Sequence, residues 1–461
     1  MISGKNEASP LLSIRVPLNK IRHYLSTFEL TRGLFIAFSG SAFIYLTAWH
    51  LAHPLLITLL GTGTWYLLLR SGSSTWFFYG FFSGLFWFWW IGISFIHYRM
   101  VWMILPVELA IALTYGGLFW LIAKIAFSVQ HARPKGQVPL GYLVFRHGKK
   151  AFNASFISLS LKALGILGVS YVHPFGFDWF KPELMFVGSY LGIQKWQTAL
   201  ILAALVLTIW RKQLRFLPLL LLAFDPHYLC NTPLAGQQEI QLVTTHVPVE
   251  EKWEKQKQPE QFAALFKAID TAIEEKKETV ILPESVFPLF LNYEQPLFER
   301  LQQRAKQINI VTGALFLDGK IPRNAAYIFT RDGRVTVANK VVLVPFGEAN
   351  PLPDFLSRWV NRIFYDDAVD YQASVCVTDY TIEGVTYRNA ICFEATSERL
   401  YENAPKQMIV LSNNGWFTPS TEPILQQLLL QYYSLKYGTT IYHAVNMSPS
   451  YIIKEGQLLT P

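Results

Sequence analysis

Seven apolar runs, each near the length of a bilayer-crossing helix, fill the first 229 residues of this 461-residue chain and constrain its fold most. About 20 apolar residues match the hydrocarbon thickness of a bilayer, and in lipid such a run satisfies its own backbone only as a helix. The runs fall at 33–49, 54–70, 75–96, 102–123, 154–172, 190–210 and 214–229. The sixth carries Gln194 and Lys195 near its start, and the seventh, the weakest, carries Asp225 and Pro226 close to its end. Charged residues are only 16% of the chain, against about 25% in a soluble protein, and the deficit lies before residue 225. A multi-span α-helical membrane domain is therefore expected over 33–229, after a short N-terminal segment, 1–32.

Positive charge sets the expected orientation. Lys5, Arg15, Lys20, Arg22 and Arg32 precede the first run, and Arg70 follows the second. Lys124, Arg133, Lys135, Arg146, Lys149 and Lys150 fill the longest early loop, and Arg211, Lys212 and Arg215 separate the last two runs. If every run crosses once, these loops share one side, and that side is cytoplasmic. The first run reads as a retained signal-anchor. An odd number of crossings then exports everything after about residue 230 to the periplasmic side of an inner membrane. The formal charge of +8 is explained by this loop placement, so nucleic acid is not an expected partner. Glu108 and Lys162, ionisable groups inside runs, are either functional groups or side chains with a buried partner. Trp87-Phe88-Trp89-Trp90 is either an aromatic belt at the interface or a lipid-binding surface.

Residues 230–461 read as a separate α/β domain. Glu239 to Thr245 alternates like a strand, and 258–276 repeats with helical period through Phe262, Leu265, Phe266, Ile269 and Ile273. Strands are expected at Thr279–Pro283, Ile308–Leu317, Asn324–Thr330 and Lys406–Ser412, helices at 294–307 and 421–438, and a hairpin across Tyr380–Tyr387. Layered sheets and helices follow. The three cysteines, Cys230, Cys376 and Cys392, cannot make a disulfide framework, and their spacing suggests no metal.

Three residues at the ends of apolar strand-like runs carry the chemistry. Cys392 ends a strand in Arg-Asn-Ala-Ile-Cys-Phe-Glu, ahead of a segment that could open a helix whose N-terminal amides favour a thiolate. It is either a nucleophile that holds an acyl group as a thioester or a small buried hydrophobe. Glu284, after Val-Ile-Leu-Pro, is either a general base for that thiol or a solvated loop acid. Lys340 is either the positive charge facing a tetrahedral oxyanion, together with the backbone N–H of Phe393, or a turn lysine. Glu348 is placed to hold Lys340 charged and oriented.

Leu282-Pro-Glu-Ser, Lys340 with Leu343-Val-Pro-Phe-Gly-Glu348, Ile391-Cys-Phe-Glu394 and Ser412-Asn-Asn-Gly-Trp-Phe417 resemble, in this order, the nitrilase superfamily. With the membrane half included, the chain resembles the apolipoprotein N-acyltransferase family over nearly its whole length. The resemblance implies an α-β-β-α sandwich for 230–461, with Glu284 as base, Lys340 as oxyanion stabiliser and Cys392 as nucleophile. It makes Glu348 and Glu394 supporting carboxylates, and it matches Trp253 and Trp416 to tryptophans on mobile arms near a lipid entrance, although core packing is the equal alternative. It implies a cofactor-free, two-step transfer by a monomer, with a membrane glycerophospholipid as donor and a diacylglyceryl apolipoprotein as acceptor. The family commonly has Tyr where this chain has Phe393, and Asn-Asp where it has Asn413-Asn414. The family also returns to the membrane after the sandwich, and no apolar run here answers to that span. Two further readings use the same residues: a membrane-tethered amidase or nitrilase with water as acceptor, and a non-catalytic lipid-binding or transport protein.

Overall fold

The computed structural model describes residues 26–131, 154–226, 239–345, 347–348 and 371–459. Among these, the first half is a helical bundle. Its helices are α1 (Thr27–Ala48), α2 (Pro54–Leu69), α3 (Ser73–Phe88), α4 (Ile104–His131), α5 (Ala154–Val169) and α6 (Lys195–Arg211). Helix α1 starts six residues before the expected run because the Ser26 hydroxyl accepts the Glu29 N–H at 3.2 Å, an N-cap that the polar first turn of the helix needs. The third run is not one helix. It bends through a 3₁₀ turn, Trp89–Ile93, and a short helix, Ser94–His97. Among the described residues, three helical stretches, Thr27–Ala48, Ser73–His97 and Val101–Ser128, are long and apolar enough to cross a membrane.

The seventh run forms a ten-residue 3₁₀ helix, Leu214–Ala223, rather than an α-helix. Pro218, at its centre, lacks the N–H that an α-helix would use. At about 2.0 Å per residue this thinner helix still climbs about 20 Å. It runs back along α6, so that Gly192 N donates to Ala223 O at 2.8 Å and Asp225 N to Tyr190 O at 2.9 Å. The expected boundary at 229/230 lies outside the described residues.

Close backbone approach holds the bundle together. A Cβ on Gly80 of α3 would sit 2.3 Å from the carbonyl oxygen of Tyr115 in α4, so only glycine permits this contact. Glu108 and Lys162 both find main-chain partners. Lys162 Nζ donates to Leu69 O at 3.2 Å and Ser71 O at 2.6 Å, closing the carbonyl end of α2. Glu108 Oε1 accepts the Gly92 N–H at 3.0 Å, at the break after α3. Trp87 and Trp90 are buried, while Trp89 keeps 38% of its surface.

The second half is a two-sheet sandwich. In the first sheet the strands are β1 (Ile240–Leu242), β2 (Thr279–Ile281), β3 (Phe287–Phe290), β4 (Asn309–Asp318), β5 (Ile321–Phe329) and β6 (Val335–Asn339). Their order is β1-β2-β4-β5-β6, with β3 also pairing β4. In the second sheet they are β7 (Asp379–Ile382), β8 (Val385–Ile391), β9 (Gln407–Asn413), β10 (Thr440–Asn446), β11 (Tyr451–Lys454) and β12 (Gln457–Leu459), ordered β12-β11-β10-β9-β8-β7. Ile281, Val311 and Ile328 of the first sheet pack on Ile391, Ile409 and Leu411 of the second. Helices α7 (Gln258–Glu274) and α8 (Gln295–Ala305) cover the outer face of the first sheet through Leu265, Phe266, Ile269 and Leu301. Helix α9 (Glu422–Tyr437) covers the second, and there the core runs on without a break into Trp90, Trp179 and Phe180 of the membrane half. The layers are thus α-β-β-α, as expected. Strand β3 escaped the sequence reading because its four residues carry no alternation.

Candidate active site

Strands β8, β9 and β10 run parallel, as do β1, β2 and the first half of β4. Their carboxyl ends gather at one edge of the sandwich, where connections turn away and leave a crevice, the usual place for a site in sheets of parallel strands. Cys392 follows β8, and Glu284 follows β2 by three residues.

Glu284 stands on a backbone elbow. Strands β2 and β3 both pair with β4, and the chain between them must leave that partner and rejoin it. Ser285 takes up the turn with a φ of 46°. The elbow lies flat on Gly313 of β4, where a Cβ would meet Ser285 N at 2.3 Å, and Gly313 N donates to Pro283 O at 3.3 Å. A larger residue at 313 would lift the elbow. The carboxylate is buried, and its Oε1 accepts from Asn324 Nδ2 at 2.8 Å.

Lys340 leaves β6 into the same space and is 1% exposed. Its Nζ lies 2.7 Å from Glu348 Oε2 and 2.9 Å from Oε1, and 3.8 Å from Glu284 Oε1. Burial would push the ammonium down, but Glu348 and Glu284 outweigh it and hold the group well above its ordinary value. The Asn324 side-chain Nδ2 also donates to Glu348 Oε1 at 3.2 Å, so one amide group bridges both carboxylates, while the main-chain carbonyl of Asn324 accepts the Lys340 main-chain N–H at 2.9 Å.

Cys392 has a φ of 54°, an unusual conformation for a side chain with a Cβ, and it retains part of its surface. The expected α-helix after it is absent. Two 3₁₀ turns, Cys392–Thr396 and Glu398–Tyr401, stand there instead, and so short a turn brings no helix dipole. Burial raises the thiol well above its ordinary range, and the negative charge of Glu284 raises it further, against the lowering effect of Lys340. This direction is opposite to the lowering that helix amides after Cys392 were expected to bring. Glu394 explains the turn. Its Oε1 accepts the Ile391 N–H at 2.7 Å, and its Oε2 accepts the N–H groups of Val341 at 2.7 Å and Val342 at 3.1 Å. One buried carboxylate therefore fastens the strand before Cys392 to the loop after Lys340. Burial pushes Glu394 up to about 7, opposed by Lys340 and these three donors.

Phe393 turns to the membrane half, stacking on Phe177 at 5.5 Å and Trp179 at 6.1 Å between centroids. Trp416 packs there as well, parallel to Tyr98 at 5.7 Å and edge-on to His97 at 5.5 Å. Trp253 ends a short helix, Val249–Lys252, and is 44% exposed. The structure thus joins Glu284, Lys340 and Glu348 in one network with Cys392 in its field, and sets both tryptophans outside it. Two residues of the site escaped the sequence reading: Asn324 and Lys252, whose Nζ donates to Glu284 O at 2.8 Å. A polar residue opening an otherwise apolar strand was the available signal for Asn324. Cys230 lies outside the described residues, and Cys376 is an exposed free thiol.

The profile of the apolipoprotein N-acyltransferase integral membrane domain matches residues 27–228. An apolipoprotein N-acyltransferase of Wolinella succinogenes is 40% identical over 91% of this chain and 94% of its own. Another, of Helicobacter pylori, is 31% identical over 87% of this chain and 88% of its own. Among solved structures, a CN-hydrolase superfamily protein of Xanthomonas campestris aligns at 14% identity with a TM-score of 0.36, over 48% of this chain and 84% of that one.

Proposed function

The chain belongs to the apolipoprotein N-acyltransferase family, and from that premise we propose that it acylates lipoproteins through a thioester on Cys392. It is a membrane-integral acyltransferase of lipoprotein maturation, which sets aside the hydrolytic and non-catalytic readings. The proposed donor is a membrane glycerophospholipid, and the proposed acceptor is the α-amine of an N-terminal diacylglyceryl-cysteine.

In the first step the Cys392 sulfur attacks the ester carbonyl while Glu284 takes its proton. Burial, which raises the thiol, supports this concerted transfer. Lys340 and the Phe393 N–H face the oxyanion. The carbon–oxygen bond breaks, and Glu284 returns the proton to the departing lysophospholipid. In the second step the acceptor amine attacks the thioester and Glu284 takes a proton from nitrogen; the carbon–sulfur bond then breaks, and Glu284 passes that proton to the departing sulfur to restore the thiol. Lipid around the mouth disfavours water as a competing acceptor. The observation that carries this reading is the buried set Glu284, Asn324, Lys340 and Glu348, in whose field the thiol of Cys392 stands.

We further propose seven crossings, with the sandwich on the periplasmic side of the inner membrane and a monomer as the working unit. The basic loops support the orientation, and the return of Leu214–Ala223 along α6 supports the odd count. The test is N-acylation of a diacylglyceryl-cysteine peptide in phosphatidylethanolamine micelles. Wild type should yield N-acyl peptide, and Cys392→Ala should yield none. Product from Cys392→Ala would refute the assignment.

A further inference from the structure

We propose that Lys252 is a positioning residue for the general base, its ammonium gripping the main-chain carbonyl of Glu284 and so fixing the elbow from which the carboxylate reaches Cys392. The proposal rests on Glu284 being that base. Lys252 is 2% exposed, and its Nζ lies 2.8 Å from Glu284 O. Taking an ammonium out of water costs several kcal/mol unless charges nearby repay it. Here burial pushes the group down to about 8, with Glu284 and Cys392 opposing the fall. A methionine would fill the same volume without that cost, so packing alone does not account for a lysine.

The grip acts where the backbone is strained. Ser285, next to the gripped carbonyl, has a φ of 46°, and the elbow is otherwise held by the Gly313 N–H on Pro283 O. Freed from Lys252, the Glu284 carbonyl would be left buried without its partner, and relaxing the turn would swing the carboxylate off the thiol. Lys252 is itself fixed from elsewhere. Gln261 Nε2 of α7 donates to Glu251 O at 3.1 Å, and Glu250 Oε1 lies 2.7 Å from His97 Nδ1 in the membrane half. Three successive residues thus tie one short helix to α7, to the membrane half and to the catalytic elbow. The setting of the base is linked through Lys252 to the bundle that presents the lipid.

The test uses the full-length protein in phosphatidylethanolamine micelles and follows the acyl adduct on Cys392 by intact mass in single turnover. Rate, final amplitude and half-saturating lipid are read separately. Lys252→Met should slow adduct formation about 10- to 100-fold, the usual effect of a misplaced catalytic group, with amplitude and half-saturating lipid unchanged. Lys252→Arg should recover most of the rate, and Lys252→Met should add nothing in a Glu284→Gln background. A wild-type rate in Lys252→Met overturns the proposal. So does a reduced amplitude at unchanged rate, which marks a packing role, or raised half-saturating lipid at unchanged rate, which marks headgroup binding. A wild-type rate in Glu284→Gln alone overturns the base assignment instead.

Discussion

The two sheets of the sandwich stand in different relations to the membrane half. The second sheet and α9 share one continuous core with it, and Trp179 Nε1 donates to Thr396 Oγ1 at 2.6 Å four residues past the cysteine. Trp90 and Phe417 meet edge to face at 4.8 Å, and the Tyr432 hydroxyl lies 3.2 Å from Glu183 Oε1. The first sheet has its own core with α7 and α8, and Arg304 and Asp270 join those helices near solvent. Cys392 therefore belongs to the membrane frame, while Glu284 and Lys340 arrive on the outer layer. Glu394 is the fastening between them. A site split in this way keeps its sulfur at a fixed place relative to the bilayer, and its reactivity depends on how the other layer is seated.

Changes at the seam should have the largest effects. Lys340→Met removes the cation from the outer layer, and its acylation rate should fall about 10²- to 10³-fold, as for loss of an oxyanion donor. Single-turnover adduct formation checks this. Glu394→Ala strands three buried N–H donors and should cost about 3 kcal/mol or more, read as a lowered midpoint in thermal unfolding. Thr396→Val leaves the Trp179 indole N–H unpartnered on the welded side, and about 1–3 kcal/mol is expected. Asp270→Ala, on the separate layer with a side chain 46% exposed, should cost less than about 1 kcal/mol. If the last two came out in reverse order, the contrast between the layers would be wrong.

The thiol gives the comparison a pH signature. Burial and the charge of Glu284 raise it, so alkylation of Cys392 should accelerate only above the range of an ordinary cysteine. Glu284→Gln removes one charge that raises it, so alkylation at pH 8 should become faster. A Cys230→Ser, Cys376→Ser background isolates the signal. A slower reaction in Glu284→Gln would show that the two layers do not meet electrostatically as described.

Much of this was legible in the sequence where local physics decides. Six of the seven apolar runs became α-helices because length and apolarity leave a chain in lipid little choice, although the third is interrupted after Phe88. The sandwich strands followed from alternation, and Glu284, Lys340 and Cys392 from their places at strand ends. What stayed hidden depends on distant partners. Asn324 is one amide in a strand until Glu284 and Glu348 arrive on either side of it, and Lys252 is an unremarkable neighbour of Trp253 until the elbow closes over it. The helix expected after Cys392 is replaced by a 3₁₀ bend, in which Glu394 is spent on fastening the turn.

The central claim is that a sulfur on the membrane-anchored layer carries the acyl group between two lipids. A pulse–chase by intact mass tests it most directly: protein mixed with phosphatidylethanolamine, then with a diacylglyceryl-cysteine peptide. One acyl mass on Cys392 is expected after the pulse, and its loss, with an equal gain on the peptide amine, after the chase. An unmodified protein during turnover, or an adduct that survives the chase while product accumulates, would contradict it.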